Sequence, residues 1–378
     1  MAADSHDTSE DPRSDYTSAV SATTAFGMKI FRELAERDSN NILISPVGLG
    51  VALTMTYNGA AGETAREMAG VLELDALDPQ EVNNAHAELI GKLPVSGDDL
   101  SLSMANSLWA DLETPFREDF LATSEASYRA AIRNIDLGAP EAPDSINAWV
   151  GRETGERIGS VIQEIDPDVV LYLINAMYFR GRWAIPFDTS YTSPRVFTLA
   201  DGSTRTVPLM MTELRQGHYY SGDGFMAARL DYGVGQASMY LFLPDEDSSL
   251  EEFCGRLNAD NWTRWVSGFE IGPARILLPR LTLEYDGVLN GALRTLGMRR
   301  AFAGADFRRM TSERVFISMV KHSTRLEVDE AGTVAASAAV VELKKGPATV
   351  LAFTRPFFLA VVDNRTGAIL FMGSVLEP

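Results

Sequence analysis

The chain has 378 residues, 46% of them hydrophobic, with a formal net charge of −19, one cysteine and four histidines. This is ample material for a large core, while the acidic balance argues against nucleic acid and anionic membranes as partners, because both would be repelled. A lone cysteine, Cys254, excludes an internal disulfide.

Residues 1–15, MAADSHDTSEDPRSD, are polar and acidic, with no basic n-region and no apolar h-region. They do not read as a secretory signal and are expected to form a disordered acidic tail. The compartment stays open between intracellular and secreted with a signal removed. No apolar run approaches the roughly 18 residues that span a bilayer. Residues 16–38 place Ala25, Phe26, Met28, Ile30, Phe31 and Leu34 among polar neighbours, which predicts an amphipathic first helix. Ser45-Pro46 opens a second, largely apolar helix with proline in its first turn, expected to be buried on all sides. Residues 62–72, 79–92, 116–127 and 144–158 read as surface helices. Val169 to Phe179 is nearly continuous in apolar residues, the pattern of a strand covered on both faces.

Further strands are predicted near 205–211, 225–230, 236–243, 274–285, 315–328, 357–362 and 368–373. Helices dominate the first half and strands the second, which suggests one α+β domain over residues 16–378. Cys254 sits in SLEEFCGRL, whose apolar positions include Leu250, Phe253 and Leu257, so it reads as a buried, inert thiol on a helix.

The residues carry no HExxH, CxxC, GxxxxGK[ST] or GxSxG, and neither Gly48-Leu49-Gly50 nor Gly233-Val234-Gly235 has the third glycine of a dinucleotide fingerprint. No enzyme, cofactor or metal site is expected. His322 reads as a half-buried strand histidine with a satisfied hydrogen bond, and Trp183 as a core aromatic beside the turn Arg180-Gly181-Arg182. The run Glu330 to Ala339, EAGTVAASAA, would by propensity be a helix, with Thr333 as cap and Lys344, Lys345 and Gly346 at its end.

Four segments change that last reading: NILISPVGLGVALTMTYNGA (41–60), NAMYFRGRW (175–183), the EAGTVAASAA run, and RPFFLAVVDNRTGAILFMGSVL (355–376). In order and spacing, from about residue 16 to the C-terminus, the chain resembles the serpins, a family of serine-protease inhibitors. The resemblance implies the serpin fold, with three β-sheets and about nine helices around a dominant sheet able to accept an inserted strand. It implies a hinge and exposed reactive-centre loop over 329–356. It further implies suicide cleavage of that loop, its insertion as a strand, and covalent trapping of the protease. A non-inhibitory serpin acting as a binding or chaperone-like protein is the alternative, and a cysteine-protease target is a variant within the inhibitory class.

The implied hinge is Glu330, Gly332, Thr333, Val334, Ala335, Ala336, Ser337, Ala338 and Ala339. Inserted as a strand, Thr333, Ala335, Ser337 and Ala339 would share one face. Small side chains there fit a preformed core, and no proline or charge stands at 333–339 to lose a ladder bond or bury a charge. His322, Ser45 and Asn175 match the family's shutter, where strands must part; Gly48 stands where a second serine is common. Trp183 matches the tryptophan near the start of insertion, the breach. Family spacing from Glu330 puts the scissile bond after Gly346, before Pro347, while counting back from Pro356 gives Lys345. Lys345–Gly346 is the first choice and implies a trypsin-like serine protease. Leu343–Lys344 is second, implying a chymotrypsin- or subtilisin-like one, and Lys344–Lys345 is third. Some serpins bind heparin through a basic helix near 79–92; here that stretch has one lysine, so heparin is not expected. The inhibitor is expected to be a monomer without cofactor.

Overall fold

The computed structural model describes residues 16–378 except 94–96, 98, 167–168 and 333–347. Helix α1 (Thr17–Ala35) turns Phe26, Ile30, Phe31 and Leu34 inward. Helix α2 (Pro46–Tyr57) is buried continuously from Pro46 to Thr56, as an all-apolar helix must be. Ser45 caps it by accepting a hydrogen bond from the Gly48 backbone N–H at 3.0 Å, and Pro46 occupies the first turn, where its missing N–H is not needed.

Around this pair lie α3 (Gly62–Leu72), α4 (Pro79–Lys92), α5 (Glu118–Tyr128), α6 (Ala142–Glu153), α7 (Leu250–Gly255), α8 (Ala259–Ser267) and α9 (Asn290–Leu296), making nine helices among the described residues. The helix expected over 144–158 stops at Glu153, because Gly155 and Glu156 both take left-handed backbone angles, with φ near +60°. Helices α8 and α9 were not anticipated from their short, mixed patterns.

The main sheet has five strands in the order β10 (Leu281–Val288), β11 (Met319–Val328), β4 (Leu171–Gly181), β2 (Leu100–Asp111) and β3 (Ala131–Ile135). A second sheet contains β1 (Ile42–Ile44), β14 (Ile369–Val375), β13 (Phe357–Asp363), β8 (Ala237–Pro244), β7 (Phe225–Tyr232), β6 (Thr204–Gly222), β9 (Glu270–Pro279) and β12 (Thr349–Ala352), with β5 (Ser193–Thr198) on β6. The three sheets expected thus appear as two hydrogen-bonded networks. The second is continuous through the long strand β6, whose register shifts between Leu214 and Gly217. The single strand expected over 274–285 is two, β9 and β10, in different sheets with Arg280 between them.

One pairing organises the main sheet. Strands β4 and β11 run parallel, from Met319 opposite Tyr172 to Arg325 opposite Tyr178. Their outer neighbours, β2 and β10, are antiparallel to them. On the outer face, Trp149 and Val150 of α6 and the following Ile158 and Ile162 pack against Trp109, Tyr172 and Tyr178. No described helix is long and apolar enough to cross a membrane.

Cys254 lies on α7 and is buried, and that burial, with Glu251 nearby, pushes its thiol up to about 12. The thiolate is therefore suppressed twice, by access and by charge. Native protein at neutral pH is expected to resist a thiol-specific reagent and to label fully only in denaturant; rapid labelling of the native form would contradict this burial.

Candidate functional site

Where β11 ends, the chain turns at once. The Asp329 carboxylate accepts hydrogen bonds from the backbone N–H groups of Ala331 (2.9 Å) and Gly332 (3.1 Å). Gly332 has φ +132°, and a Cβ there would fall onto the Gly181 carbonyl oxygen and lie 2.7 Å from the Arg182 Cα. Only glycine fits. Gly332 forms antiparallel bridges both to Asp329 and to Arg182, just past the end of β4. At Gly332 itself the backbone therefore runs antiparallel to the ends of both β11 and β4.

Trp183 holds this turn. Its backbone N–H donates to the Ala331 carbonyl at 3.0 Å, and its indole Nε1–H donates to the Asp329 carbonyl at 2.9 Å. The ring stacks on Tyr232 at 4.3 Å between centroids. It is both a core aromatic and a clamp on the residues entering 333–347.

Glu330 is 6% exposed and held by side chains distant in sequence. Arg280 Nε donates to both carboxylate oxygens (2.9 and 2.8 Å), Arg280 Nη2 donates to one at 2.6 Å, and the Thr192 hydroxyl donates at 2.5 Å. Burial by itself would raise this carboxyl, but the Arg280 fork and the Thr192 hydroxyl together hold it below the usual range. Neither Arg280 nor Thr192 was singled out from sequence. The signals available were that a buried glutamate needs a cation, and that Arg280 interrupts the apolar run ILLPRL.

The rest of the expected hinge, Thr333, Val334, Ala335, Ala336, Ser337, Ala338 and Ala339, lies outside the described residues. So do the scissile candidates Leu343, Lys344, Lys345 and Gly346, and with them the helical reading of that run.

Lower on the same junction, Ser45, His322 and Asn175 come together. His322 is fully buried rather than half-buried, directly across from Asn175 in the β4–β11 register. Its Nε2 accepts a hydrogen bond from the Ser45 backbone N–H at 3.0 Å, so the ring proton belongs on Nδ1. Thr324, two residues on, donates its hydroxyl to the Leu43 carbonyl at 2.7 Å. Asn175 Nδ2 donates to Asn106 Oδ1 on β2 at 2.5 Å, a partner not found from sequence. Burial pushes the His322 imidazole down to about 3, and the Asn175 backbone offsets this only in part.

Helices packed on a five-stranded sheet, with a parallel pair that opens onto a glycine turn, define an α+β protein built round a single junction. Residues 21–378 match the family model described as Serpin (serine protease inhibitor). An uncharacterized serpin-like protein of Thermococcus kodakarensis is 31% identical over 369 residues, 95% of this chain and 85% of that protein. Plasminogen activator inhibitor 1 of Neovison vison is 30% identical over 381 residues, 96% of this chain and 94% of that one. Among solved structures, the thermophilic serpin Tengpin in its native state matches with a TM-score of 0.88 and 30% identity, covering 95% of this chain and 94% of that chain. The chain belongs to the serpin family.

Two outcomes follow from this geometry. Glu330→Gln keeps the shape but removes the charge that Arg280 and Thr192 surround, and should lower stability by about 1–3 kcal/mol; an unchanged melting temperature would show that the pair contributes nothing. For His322 the folded value, about 3, lies below the ordinary 6.5, so the unfolded chain binds the proton first. Its contribution is intact at neutral pH and declines as pH falls from about 6.5 toward 3. His86, pushed down to about 4 by burial, titrates in the same window. Melting curves from pH 7 to 4 should therefore be flatter for His322→Gln than for the parent, and equal slopes would remove His322 from the account.

Proposed function

We propose that this serpin inhibits serine proteases by offering the loop after Gly332 as substrate, inserting it between β4 and β11 once cut, and trapping the protease as an acyl-enzyme. The observation that carries the proposal is the antiparallel start at Gly332 beside a parallel β4–β11 pair. A strand continuing that register would run antiparallel to both neighbours. Thr333 would face Gly181 and Val328, and Ala339 would fall between Asn175 and His322. Thr333, Ala335, Ser337 and Ala339 would then share the face of Val328, Leu326, Thr324 and His322, all buried, where small side chains fit without overpacking.

The energetics favour insertion. One parallel ladder is lost and two antiparallel ladders are made, a net gain of about ten backbone hydrogen bonds at roughly 0.5–1.5 kcal/mol each. That total, about 5–15 kcal/mol, is comparable to the stability of a domain. The uncut form is therefore held kinetically.

Loop insertion in serpins is one of the standing examples of a switch that releases stored strain. The protease serine attacks the Lys345 carbonyl, the Gly346 amine leaves, and an ester joins the two proteins. Travel of about a dozen residues at roughly 3.3 Å each drags the protease by about 40 Å. Distortion of its oxyanion hole then blocks attack by water. Lys345 before the bond favours a trypsin-like target, whose S1 pocket carries an acid.

Mixing the pure monomer with trypsin should give an adduct that survives boiling in detergent, and mass spectrometry should find a released peptide beginning at Gly346. A peptide beginning at Lys344, with chymotrypsin in place of trypsin, would move the scissile bond to Leu343. Clean cleavage without adduct by both proteases would overturn inhibition. Thr333→Arg should fold normally yet become a substrate, since it would bury a guanidinium beside β4; trapping at the parental yield would sink the insertion step. The cut parent should melt well above the uncut one.

A further inference from the structure

We propose that a cleft between the end of α1, the start of α7 and the last residues of β14 binds a small amphipathic monocarboxylate, held by Arg355 and Ser374. Such a site does not depend on the inhibitory mechanism.

The cleft has a volume of about 640 Å³, the size of a small-molecule site. Its floor is apolar: Pro244, Leu250 and Cys254 are buried there, and the half-buried Leu199 and Leu376 extend it. Arg355, immediately before β13, lines the cleft and is half-buried. Among the described residues no carboxylate forms an ion pair with it and no hydrogen bond holds its guanidinium. Burial pushes this group below its ordinary value, and the nearby charges of Glu246 and Asp245 offset that only in part. A guanidinium nevertheless stays charged at any ordinary pH. The other cation at the cleft, Arg37, is already paired with Glu33.

Ser374 is the second polar group of the cleft. It is 4% exposed, and its hydroxyl makes no hydrogen bond among the described residues, whereas a buried hydroxyl ordinarily has a partner. The strand register shows where it is aimed. Ser374 lies directly opposite Phe358 in the β13–β14 ladder and so shares its face. Phe358 packs against Phe31 of α1 and Phe253 of α7, so that face looks between the two helices that border the cleft. These features select a ligand. The planar fork of an arginine matches a carboxylate through two parallel hydrogen bonds. The apolar floor suits an alkyl or aromatic body, and Ser374 a single hydroxyl or carbonyl on that body. Glu36, Asp38 and Glu251 also line the cleft and would repel a second negative charge, which disfavours di- and tricarboxylates.

The test is calorimetric titration of the full chain with 6-hydroxy-2-naphthoate, 2-naphthoate and citrate. Both naphthoates should bind, the hydroxylated one more tightly, and citrate should not. Arg355→Met keeps the length of the side chain but removes the fork, and should weaken both naphthoates by about tenfold or more. Ser374→Ala should weaken 6-hydroxy-2-naphthoate about two- to tenfold and leave 2-naphthoate unchanged. Ala35→Trp, which fills the cleft from the end of α1 and leaves both polar groups in place, should abolish binding. A parent that shows neither binding heat nor a raised melting temperature in millimolar 6-hydroxy-2-naphthoate would overturn the proposal. So would parental affinity in both Arg355→Met and Ala35→Trp, because the ligand would then sit elsewhere. Citrate binding as tightly as the naphthoates would also overturn it, since that would be attraction of any anion to a surface arginine.

Discussion

Two strands paired in parallel at the middle of a sheet, with their outer neighbours antiparallel to each, would both pair antiparallel with a strand of opposite sense placed between them once their own ladder parted. That is the relation of β4 to β11 here. The parallel ladder is the weaker of the two kinds, and Gly332 at its head already bridges antiparallel to both Asp329 and Arg182. On the proposed mechanism the buried helix beneath, the clamp at Trp183 and the polar contacts of His322 would all bear on whether that ladder stays closed. The proposed inhibition needs it closed before cleavage and open afterwards.

Two kinds of contact guard the junction, and they differ in chemistry. At the turn, a nearly buried carboxylate is met by a guanidinium fork and a hydroxyl, so the charge is balanced where it sits. In the interior, His322 is kept neutral by burial and serves as an acceptor for Ser45. On the proposed mechanism a strand would pass this place, and a neutral imidazole suits it because a fixed charge there would demand a partner before and after the passage.

Among the described residues the acidic side chains lie at or near the surface, except Glu330 and Asp363. Of its basic residues, 33 in all, only five are lysines, and two of these are Lys344 and Lys345. On the proposed mechanism they present a local positive feature to an acidic specificity pocket from an otherwise negative protein, which favours that encounter over others.

What could be read from the sequence was whatever local composition dictates. The apolar run of α2 required burial, the run from Val169 to Phe179 required a strand covered on both faces, and four spaced segments carried the family and with it His322, Ser45, Asn175 and Trp183. Strand β2 escaped notice because LSLSMANSLWAD mixes serine and asparagine into a buried strand, where ordinary propensity does not place them. The break at Arg280 was missed because a proline and an arginine inside an apolar run do not say that the chain changes sheet there. The partnerships of Glu330 with Arg280 and Thr192, and of Asn175 with Asn106, join residues between 50 and 138 positions apart. Burial and period are written into neighbouring residues, so sequence decides them. Which donor meets which acceptor depends on how whole strands are brought together, and only the folded chain decides that.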